Sequence, residues 1–548
     1  MSETKTKRPR KRQLGQFLTP PETALRLLQD FEFTVTDRVL EPSLGDGAFV
    51  LPLIEKFLPL YDGPLPERLH HILARNLYGV EIDGALLEAC LANIEQRWGH
   101  CPTRHNFVQA DFFQTIFPHP FDYIVGNPPF GGTIDTAIQD KLDRKLGRRN
   151  GLKIKKETYA FFLVKSLDLL KPGGRLRFIC SDTFLTINTM QGLRRLLLEN
   201  GAASVERLEV FSDETKYAMV VLDFAKTGPA DSVMVEGKII PREQIALTGN
   251  HSWQITELYA PYFAGPKLGD FLVATSGMTV GANELFVRRI TDGKITEPYE
   301  FSYTEEPITL KRDTERARLG FIAPGRRAEI VQRECLGETR RTVRVTPRVE
   351  PEEIALPHAD YRCYNKAMRA LIYAPPAHAI YWKDEGDAVL TFKKNGNWYL
   401  HGVGGQKFFG CEGLTWQLIA QTLNVRRLPP GYILDSGAPC AFLRDGVSPS
   451  ELDFILGWTL APLCQKLLKD VINHTKNIQG KDFERLPYPF WVSAARKAEI
   501  ITQVKALRAA AEAGRVLGWG DAEIVAVGEM FEQRYYKGRK SHGLEIRG

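Results

Sequence analysis

The residues with the clearest chemical potential are in the sequence GNPPF at positions 126–130, directly after the apolar run FDYIV. Two consecutive prolines fix the backbone and remove two N–H donors, so the local carbonyl groups point outward without a strand or helix partner. Asn127 adds a side-chain acceptor, and carbonyl oxygens from Asn127 and Pro128 could together accept both hydrogens of a planar amino group. Phe130 could stack on the ring that bears this group. The segment therefore predicts a site that activates an amine as a nucleophile.

A plain Asn-Pro turn is the commoner meaning of such a segment, but three further signals of the same kind favour a function. Gly45 lies in a turn where it lets the backbone approach a ligand closely, although a tight strand-to-helix turn needs glycine in any case. Glu81 could accept both hydroxyls of a ribose, whereas Asp83 has the position of a helix N-cap. Asp111 could meet an exocyclic amine, and Phe112 could stack on a base or simply lie in the core.

The elements that must position these residues are short apolar runs that alternate with helix-like segments. The runs lie at 38–40, 77–80, 106–108, 121–125, 175–180, 206–210 and 218–224. The clearest helix-like segments lie at 84–97, 159–170 and 190–199. This alternation predicts an α/β fold with a seven-stranded, mostly parallel, doubly wound (Rossmann-like) sheet. Ligands of such sheets bind beyond the carboxyl ends of the strands, where all four signals fall.

The start of the chain predicts an arm and then a helix. Residues 1–15 carry six basic side chains against one acid and have no apolar periodicity, so we expect a flexible basic arm. The sequence TPPE that follows matches a capping box, with Thr19 as N-cap, Pro20 at the first helical position and Glu22 reaching back.

The alternation stops near residue 226, and the Gly, Pro and Ser content of residues 226–232 predicts a linker, to which we assign 227–249. Residues 250–548 have irregular spacing and a hairpin signal at 393–399. Helical patterns follow at 451–472 and 493–513. We therefore expect a catalytic domain over 16–226 and a second, mixed α+β domain with C-terminal helices.

The composition of the 548 residues is ordinary for a globular protein, with 43% hydrophobic and 25% charged residues, which argues against disorder or a disulfide-stapled scaffold. The net charge of +6 is too weak to prove a polyanionic partner. The eight cysteines include no CxxC pair, so we predict no metal site. The chain has no run of about 18 apolar residues and no apolar leader, and we expect a cytoplasmic protein without a membrane partner.

The motifs occur in the order found in gamma-class, TaqI-like DNA adenine-N6 methyltransferases, and the chain resembles that family over essentially all of residues 16–225. The segments that carry the resemblance are QFLTP (16–20), the glycine turn (45–47), GVEID (79–83), ADF (110–112), NPPF (127–130), YAFF to LKPGG (159–174), FICSDTFL (178–185) and EVFSDETKYAMVV (209–221). The resemblance implies S-adenosylmethionine as methyl donor and the N6 amine of a DNA adenine as acceptor.

The resemblance also implies roles for individual residues. Those implied to contact the cofactor are Thr19, Glu41, Pro42, Ser43 and Leu44 at its methionine end, Glu81 at the ribose, Asp111 at the adenine amine, Ile82, Phe112 and Phe162 sandwiching or flanking the adenine ring, and in addition Gly45 and Pro129. Asn127 and Pro128 would accept the hydrogens of the target amine. Phe130 would stack on the target base and Phe211 would cover its opposite face, with Tyr217 as a rival for that second role.

A paired adenine must be flipped out of double-stranded DNA before its amine can react, so phosphate contacts are needed near the site. Residues 141–156 carry eight basic side chains against one acid, just after the GNPPF segment. They are Lys141, Arg144, Lys145, Arg148, Arg149, Lys153, Lys155 and Lys156. A solvated loop is the alternative interpretation of this basic segment.

Together these signals favour a stand-alone, site-specific DNA adenine-N6 methyltransferase. We expect it to be the modification component of a restriction-modification system, with a separately encoded restriction endonuclease as a further partner. Residues 250–548 would then be the DNA target-recognition domain. Two alternatives remain open, namely a methyltransferase that acts on rRNA or on protein glutamine, and a catalytically silent DNA-recognition subunit.

Overall fold

A computed structural model of the chain forms two compact units, Met1–Ala260 and Pro261–Gly548. The residues that it describes are 18–130, 136–208, 218–280, 282–307, 339–391, 393–394, 397–398, 400–403 and 405–532. The expected basic arm at 1–15 lies outside the described residues, as do Phe211 and Tyr217.

One mixed sheet of nine strands organises the first unit. In chain order the strands are β1 Val39–Glu41, β2 Leu77–Glu81, β3 Asn106–Gln109, β4 Phe121–Gly126, β5 Leu170–Ser181, β6 Ala202–Leu208, β7 Met219–Ala225, β8 Ser232–Val235 and β9 Lys238–Pro241. They lie in the order β9-β8-β6-β7-β5-β4-β1-β2-β3. Strands β3, β2, β1, β4 and β5 pair in parallel, and β7 is antiparallel to both β5 and β6. The predicted α/β class is confirmed.

All seven predicted strands are present, but the sheet has two more in the segment 227–249, which the sequence analysis assigned to a linker. Strand β8 pairs in parallel with β6, and β9 returns antiparallel to β8. The turn between them consists of Glu236 and Gly237, both at positive φ (49° and 74°). The linker prediction is therefore wrong, because these residues extend the sheet and the two units divide after Ala260.

The helices of the first unit are α1 Pro21–Leu28, α2 Val50–Phe57, α3 Leu65–His71, α4 Gly84–Trp98, α5 Thr136–Leu146, α6 Thr158–Leu169, α7 Gln191–Asn200 and α8 Arg242–Leu247. Shorter pieces are the 3-10 turns Leu58–Leu60, Asp182–Leu185 and Asn188–Met190, the π segment Ile72–Asn76, and a hairpin of Arg148–Arg149 with Leu152–Lys153. Helix α6 is buried along most of its length and is a core helix.

Of the two helix caps predicted from the sequence, one is present in the structure and the other is not. The side chain of Asp83 accepts a hydrogen bond from the N–H of Ala85 (3.1 Å), so the N-cap predicted for α4 is confirmed. The capping box predicted at Thr19 is wrong, because the residue before α1 is Pro20 and no side chain caps that helix. The hydroxyl of Thr19 is used elsewhere, in the site described below.

The second unit contains small sheets and C-terminal helices, which agrees with the predicted mixed α+β content. One four-stranded sheet consists of Leu272–Thr275, Cys440–Leu443, Gly413–Trp416 and Val425–Leu428, and another of Val287–Arg289, His378–Tyr381, Tyr361–Asn365 and Tyr432–Leu434. Two-stranded pairs join Lys294–Pro307 with Thr339–Ala355, Met278–Val280 with Leu400–Val403, and Lys393–Lys394 with Asn397–Trp398.

The helices of this unit are Ala260–Phe263, Asn283–Phe286, Lys383–Thr391, Glu451–Thr459, Pro462–Lys466, Gly480–Arg485, Ala494–Glu512 and Ala522–Glu529, with 3-10 turns at Leu268–Asp270 and Gln406–Phe408 and a π segment at Leu467–Ile472. Among the residues that the structure describes, no helix is both long enough and apolar enough to cross a membrane.

Candidate active site

The carboxyl ends of four neighbouring parallel strands meet at one edge of the sheet. Strand β1 ends at Glu41 and β2 at Glu81, while Asp111 and Asn127 follow β3 and β4 directly. The N–H of Ala110 donates to the carbonyl of Glu81 (2.9 Å), which ties the ends of β2 and β3 together. The four motifs that the sequence singled out are thus brought to one place.

Asn127 is held from two sides. The hydroxyl of Ser43 donates to the main-chain oxygen of Asn127 (3.3 Å), and the side-chain nitrogen of Asn127 donates to the hydroxyl oxygen of Thr19 (3.1 Å). Asn127 is partly exposed, whereas Thr19 and Pro128 are buried. Because the amide nitrogen faces Thr19, the amide oxygen lies on the opposite side of the group. Thr19 therefore orients the side chain of Asn127, while Ser43 holds its main chain.

Phe130 packs into the first unit beside this corner. Its side chain is 8% exposed, and its ring lies 5.9 Å from the ring of Tyr159 on α6 at an interplanar angle of 51°. The hydroxyl of Tyr159 is in turn 3.5 Å from the hydroxyl of Thr183, just after β5. The packing fixes the plane of Phe130, and its stacking on a target base stays a prediction.

Glu81 organises the glycine turn. One carboxylate oxygen accepts from the N–H of Gly45 (2.8 Å) and the other from the N–H of Asp83 (2.9 Å). Gly45 has a φ of +56°, a conformation that glycine adopts at no steric cost. Burial raises the pKa of Glu81, while the hydrogen bonds from main-chain N–H groups act in the opposite direction. The contact of Glu81 with a ribose stays a prediction.

Glu41 is a buried carboxyl group with an unused oxygen. Among the described residues, nothing forms a hydrogen bond with its Oε2 atom, which is buried. Burial, and then the negative charges of Glu81 and Asp46, raise the pKa of Glu41 well above its usual range. A ligand cation placed here would pair with the carboxylate and reverse that shift. A buried carboxylate oxygen without a hydrogen-bond partner among the described residues is suited to bind the ammonium group of an amino-acid ligand.

Asp111 closes the loop after β3. Its oxygens accept from the N–H of Phe113 and from the side-chain amide of Gln114, each at 2.9 Å. The carboxylate therefore has a visible structural task in this loop. Its predicted contact with the adenine amine of a cofactor would use the remaining lone pairs.

Phe112 and Phe162, which are expected to sandwich or flank the adenine ring of the cofactor together with Ile82, lie near Asp111. Phe112 and Phe162 stack directly on each other, with ring centroids 4.8 Å apart and an interplanar angle of 26°. In this arrangement a ligand ring would lie against the Phe112–Phe162 pair rather than between the two rings. Ile82, by contrast, is 52% exposed at the end of β2, so a ring flanked by Ile82 and the Phe112–Phe162 pair remains the prediction.

Lys165 is a residue of this site that the sequence analysis missed. Its ammonium group donates to the main-chain oxygens of Phe112 and Thr115, the latter at 2.8 Å, and lies 4.5 Å from the centroid of the Phe112 ring. Burial, and then the positive charge of Lys145, lower the pKa of Lys165 to about 8. A single lysine within the apolar run of α6 was the available signal. It links the helix that carries Phe162 to the loop that carries Asp111.

The basic residues of 141–156 lie on α5 and on the hairpin that follows it. Three of them form ion pairs, namely Arg149 with Asp168 (2.6 Å), Lys155 with Glu157 (2.7 Å), and Lys156 with Asp140 and Asp143 (both 3.2 Å). The exposed remainder consists of Lys141, Arg144, Lys145, Arg148 and Lys153. Six of the eight predicted phosphate contacts are thus exposed, Lys156 among them, and part of the charge of Arg149, Lys155 and Lys156 is neutralised.

The model of the Eco57I restriction-modification methylase family matches residues 75–207. This range contains the ends of β2, β3 and β4 and the whole of α6. Residues 75–207 are therefore similar to an Eco57I-type restriction-modification methylase, and this range is called the methylase domain below. The resemblance to DNA methyltransferases of restriction-modification systems is confirmed for this part of the chain.

Two relatives extend the match beyond the methylase domain. The type II methyltransferase M.HincII of Haemophilus influenzae is 26% identical over 233 residues, which are 40% of this chain and 39% of that protein. The type II methyltransferase M.TthHB8I of Thermus thermophilus is 30% identical over 227 residues, which are 40% of this chain and 46% of that protein. The chain therefore spans less than half of the length of either relative.

The structure of the type IIL restriction-modification enzyme MmeI in complex with DNA is similar over 93% of this chain and 71% of that chain. The TM-score is 0.51 and the sequence identity is 11%. At this identity the likeness shows a shared fold alone, and it covers the methylase domain and most of the second unit.

Proposed function

We propose that the chain is a site-specific methyltransferase that transfers the methyl group of S-adenosylmethionine to N6 of an adenine flipped out of double-stranded DNA. It would act in the cytoplasm as the modification component of a restriction-modification system, beside a separately encoded endonuclease. The observation that carries this proposal is the fixation of Asn127 by Ser43 and Thr19 at the carboxyl end of β4.

The residues at the strand ends fit S-adenosylmethionine. Glu41 offers a buried oxygen without a hydrogen-bond partner among the described residues to the ammonium group, and Glu81 offers two oxygens to the ribose. Asp111 is the acceptor for the adenine amine, and Ile82 offers an exposed apolar side chain to the ring. When bound, S-adenosylmethionine supplies an electrophilic methyl group on a sulfonium centre.

The hydrogen bonds of Asn127 define which oxygens would receive the target amine. Since Ser43 already donates to the main-chain oxygen of Asn127, the acceptors would be the side-chain oxygen of Asn127 and the carbonyl of Pro128. Two acceptors favour a pyramidal nitrogen whose lone pair points away from the ring and can attack the methyl group in line. The product amine is positively charged and loses its proton readily, so the site needs no strong base before transfer.

Flipping the adenine costs a few kcal/mol, which stacking on aromatic rings offsets. Phe130 would supply one ring, and Phe211 or Tyr217 the other. The exposed basic residues of α5 and the following hairpin would neutralise DNA phosphates. The second unit would act as the target-recognition domain, and its shared fold with the DNA complex of MmeI supports this assignment.

The test is methyl transfer from tritiated S-adenosylmethionine to duplex DNA, to rRNA and to protein in parallel reactions. We expect label in DNA only, recovered as N6-methyl-2′-deoxyadenosine. Label in rRNA or in protein glutamine would establish one of the alternative substrates instead. Sequence-specific DNA binding without transfer to any acceptor would establish a silent recognition subunit and refute the proposed activity.

A further inference from the structure

A recess in the second unit has no part in the proposed methyl transfer. The recess is open to solvent, and its empty volume is about 300 Å³ when the solvent at its mouth is counted. The walls come from the ends of strands Tyr361–Asn365 and Val425–Leu428, from the loop that leads to His378, and from Tyr432. All of these segments belong to the same unit.

A buried positive charge lines this recess. Arg426 is 4% exposed, and its guanidinium donates to the side-chain oxygen of Asn365 (2.7 Å) and to the main-chain oxygens of Lys366 (3.1 Å) and Met368 (3.3 Å). All three acceptors are neutral, and no carboxylate among the described residues pairs with Arg426. Burial lowers its pKa, as expected for a cation that lacks a counter-ion.

The neighbouring arginine provides an internal comparison. Arg427 is buried to a similar extent and points to different partners, since its guanidinium donates to Glu412 (2.8 Å) and lies 3.6 Å from Asp453. Buried charges in proteins are normally paired in this way. Arg426 has no such carboxylate partner among the described residues and lines an open recess. A bound ligand can therefore supply the negative charge that would pair with it.

The remaining polar groups of the recess also favour an anion. The ammonium of Lys366 donates to the neutral side-chain oxygen of Asn283 (3.1 Å). His378 is on the lining, near Lys366 and Arg289. Two of the acids near the lining are already engaged. Asp435 accepts hydrogen bonds from the hydroxyl of Tyr364 and the N–H of Gly437, both at 2.7 Å, and Glu412 pairs with Arg427, which is also on the lining.

We infer that this recess binds the phosphate group of a nucleotide, with Arg426 and Lys366 neutralising the phosphate. Guanidinium and ammonium groups are the side chains that bind phosphate most strongly. The lining also contains Met368, Pro375 and Tyr432, which offer apolar surface to the adjoining sugar or base. The choice of a nucleotide rests on the proposed DNA substrate, but the binding of phosphate does not.

Isothermal titration calorimetry of the intact chain tests the inference with three probes, inorganic phosphate, 2′-deoxyadenosine 5′-monophosphate and 2′-deoxyadenosine. We expect saturable binding of the two phosphate-bearing probes and none of the nucleoside. Lys366→Met should weaken binding at least about fivefold and Arg426→Met more strongly, because each removes a charged donor. Lys366→Met decides the result if the buried Arg426→Met variant does not fold. Arg369→Met, which removes an exposed charge from the same loop, is the matched control and should bind as the unmodified chain does.

The salt dependence of duplex binding distinguishes the two sources of the phosphate. A slope of log Kd against log salt that falls by about 1 in Lys366→Met identifies a phosphate of the DNA backbone. An unchanged slope, with binding of the monophosphate lost, identifies a free nucleotide. The inference is refuted if neither phosphate probe binds, or if Arg369→Met weakens binding as much as Lys366→Met. These titrations need no methyl transfer, so they remain interpretable if the proposed activity fails.

Discussion

Lys165 should control the affinity of the methylase domain for the adenine end of its cofactor. Substitution by methionine keeps the length of the side chain but removes the donor to the main-chain oxygens of Phe112 and Thr115. A hydrogen bond from a charged donor contributes about 1.5–3 kcal/mol, so losing two at the lower value costs about 3 kcal/mol. If the loop must be ordered to hold the ligand, the Kd rises by up to about 100-fold.

The assay is calorimetric titration with S-adenosylhomocysteine, which reports binding without catalysis. We expect the Kd to rise between about 10-fold and 100-fold in Lys165→Met and to recover in part in Lys165→Arg, which restores a charged donor. Lys171→Met is the control, because it removes another partly buried lysine whose partner is Asp122. A Kd for Lys165→Met within twofold of the unmodified chain, or an equal loss in Lys171→Met, would refute the reasoning.

The pKa of Lys165 adds a second readout. Because burial lowers this pKa to about 8, the ammonium loses its proton between about pH 7 and pH 9. The charged donor is present below the pKa and lost above it, so the affinity of the unmodified chain falls as the pH rises through 8. Groups facing Lys165 that shape this titration are Lys145, Asp111 and Asp168. The part of the pH dependence that is due to Lys165 should be absent from Lys165→Met.

Three further substitutions have expected outcomes. Because burial raises the pKa of Glu41, the ionised form of its carboxyl group lowers the free energy of unfolding above the pKa of the unfolded chain. Glu41→Gln should therefore have a melting temperature at pH 7 no lower than that of the unmodified chain, and should bind S-adenosylhomocysteine more weakly. A lower melting temperature would contradict this. Thr19→Val removes a hydrogen bond to Asn127 worth about 1 kcal/mol and should slow single-turnover transfer about fivefold, whereas Thr19→Ser should not. Phe130→Leu should raise the KM for duplex DNA about tenfold, and Phe130→Tyr should leave it unchanged. A KM for Phe130→Leu equal to that of the unmodified chain would exclude stacking.

The sequence predicts most of the sheet because each strand is a short apolar run between polar or glycine-containing segments. It misses β8 and β9, each of four residues, because the turn between them is Glu236-Gly237. A non-glycine residue at positive φ is uncommon, and Glu-Gly is not among the dipeptides that signal a two-residue hairpin. Of the Gly, Pro and Ser residues taken as a linker, Gly228 and Pro229 precede β8, and Ser232 is its first residue.

In the candidate site, the sequence predicts contacts between residues that are close in the chain and misses contacts between distant residues. The cap role of Asp83 can be predicted because its partner, the N–H of Ala85, is only two residues away in sequence. Thr19 also matched a capping pattern, but its hydroxyl accepts from Asn127, which is 108 residues away. The partners of Lys165 are main-chain oxygens, which carry no sequence signature. Contacts of this kind become visible only in three dimensions.

The most direct test of the central claim is the single-turnover rate of methyl transfer to duplex DNA by Asn127→Ala, with identification of the modified nucleoside. We expect N6-methyl-2′-deoxyadenosine from the unmodified chain and a rate at least about 100-fold lower from Asn127→Ala, in line with the loss of one hydrogen-bonding group aimed at a reacting atom. The affinity for S-adenosylhomocysteine should stay within twofold. Transfer by Asn127→Ala at the rate of the unmodified chain would contradict the claim that the oxygens of this corner activate the amine.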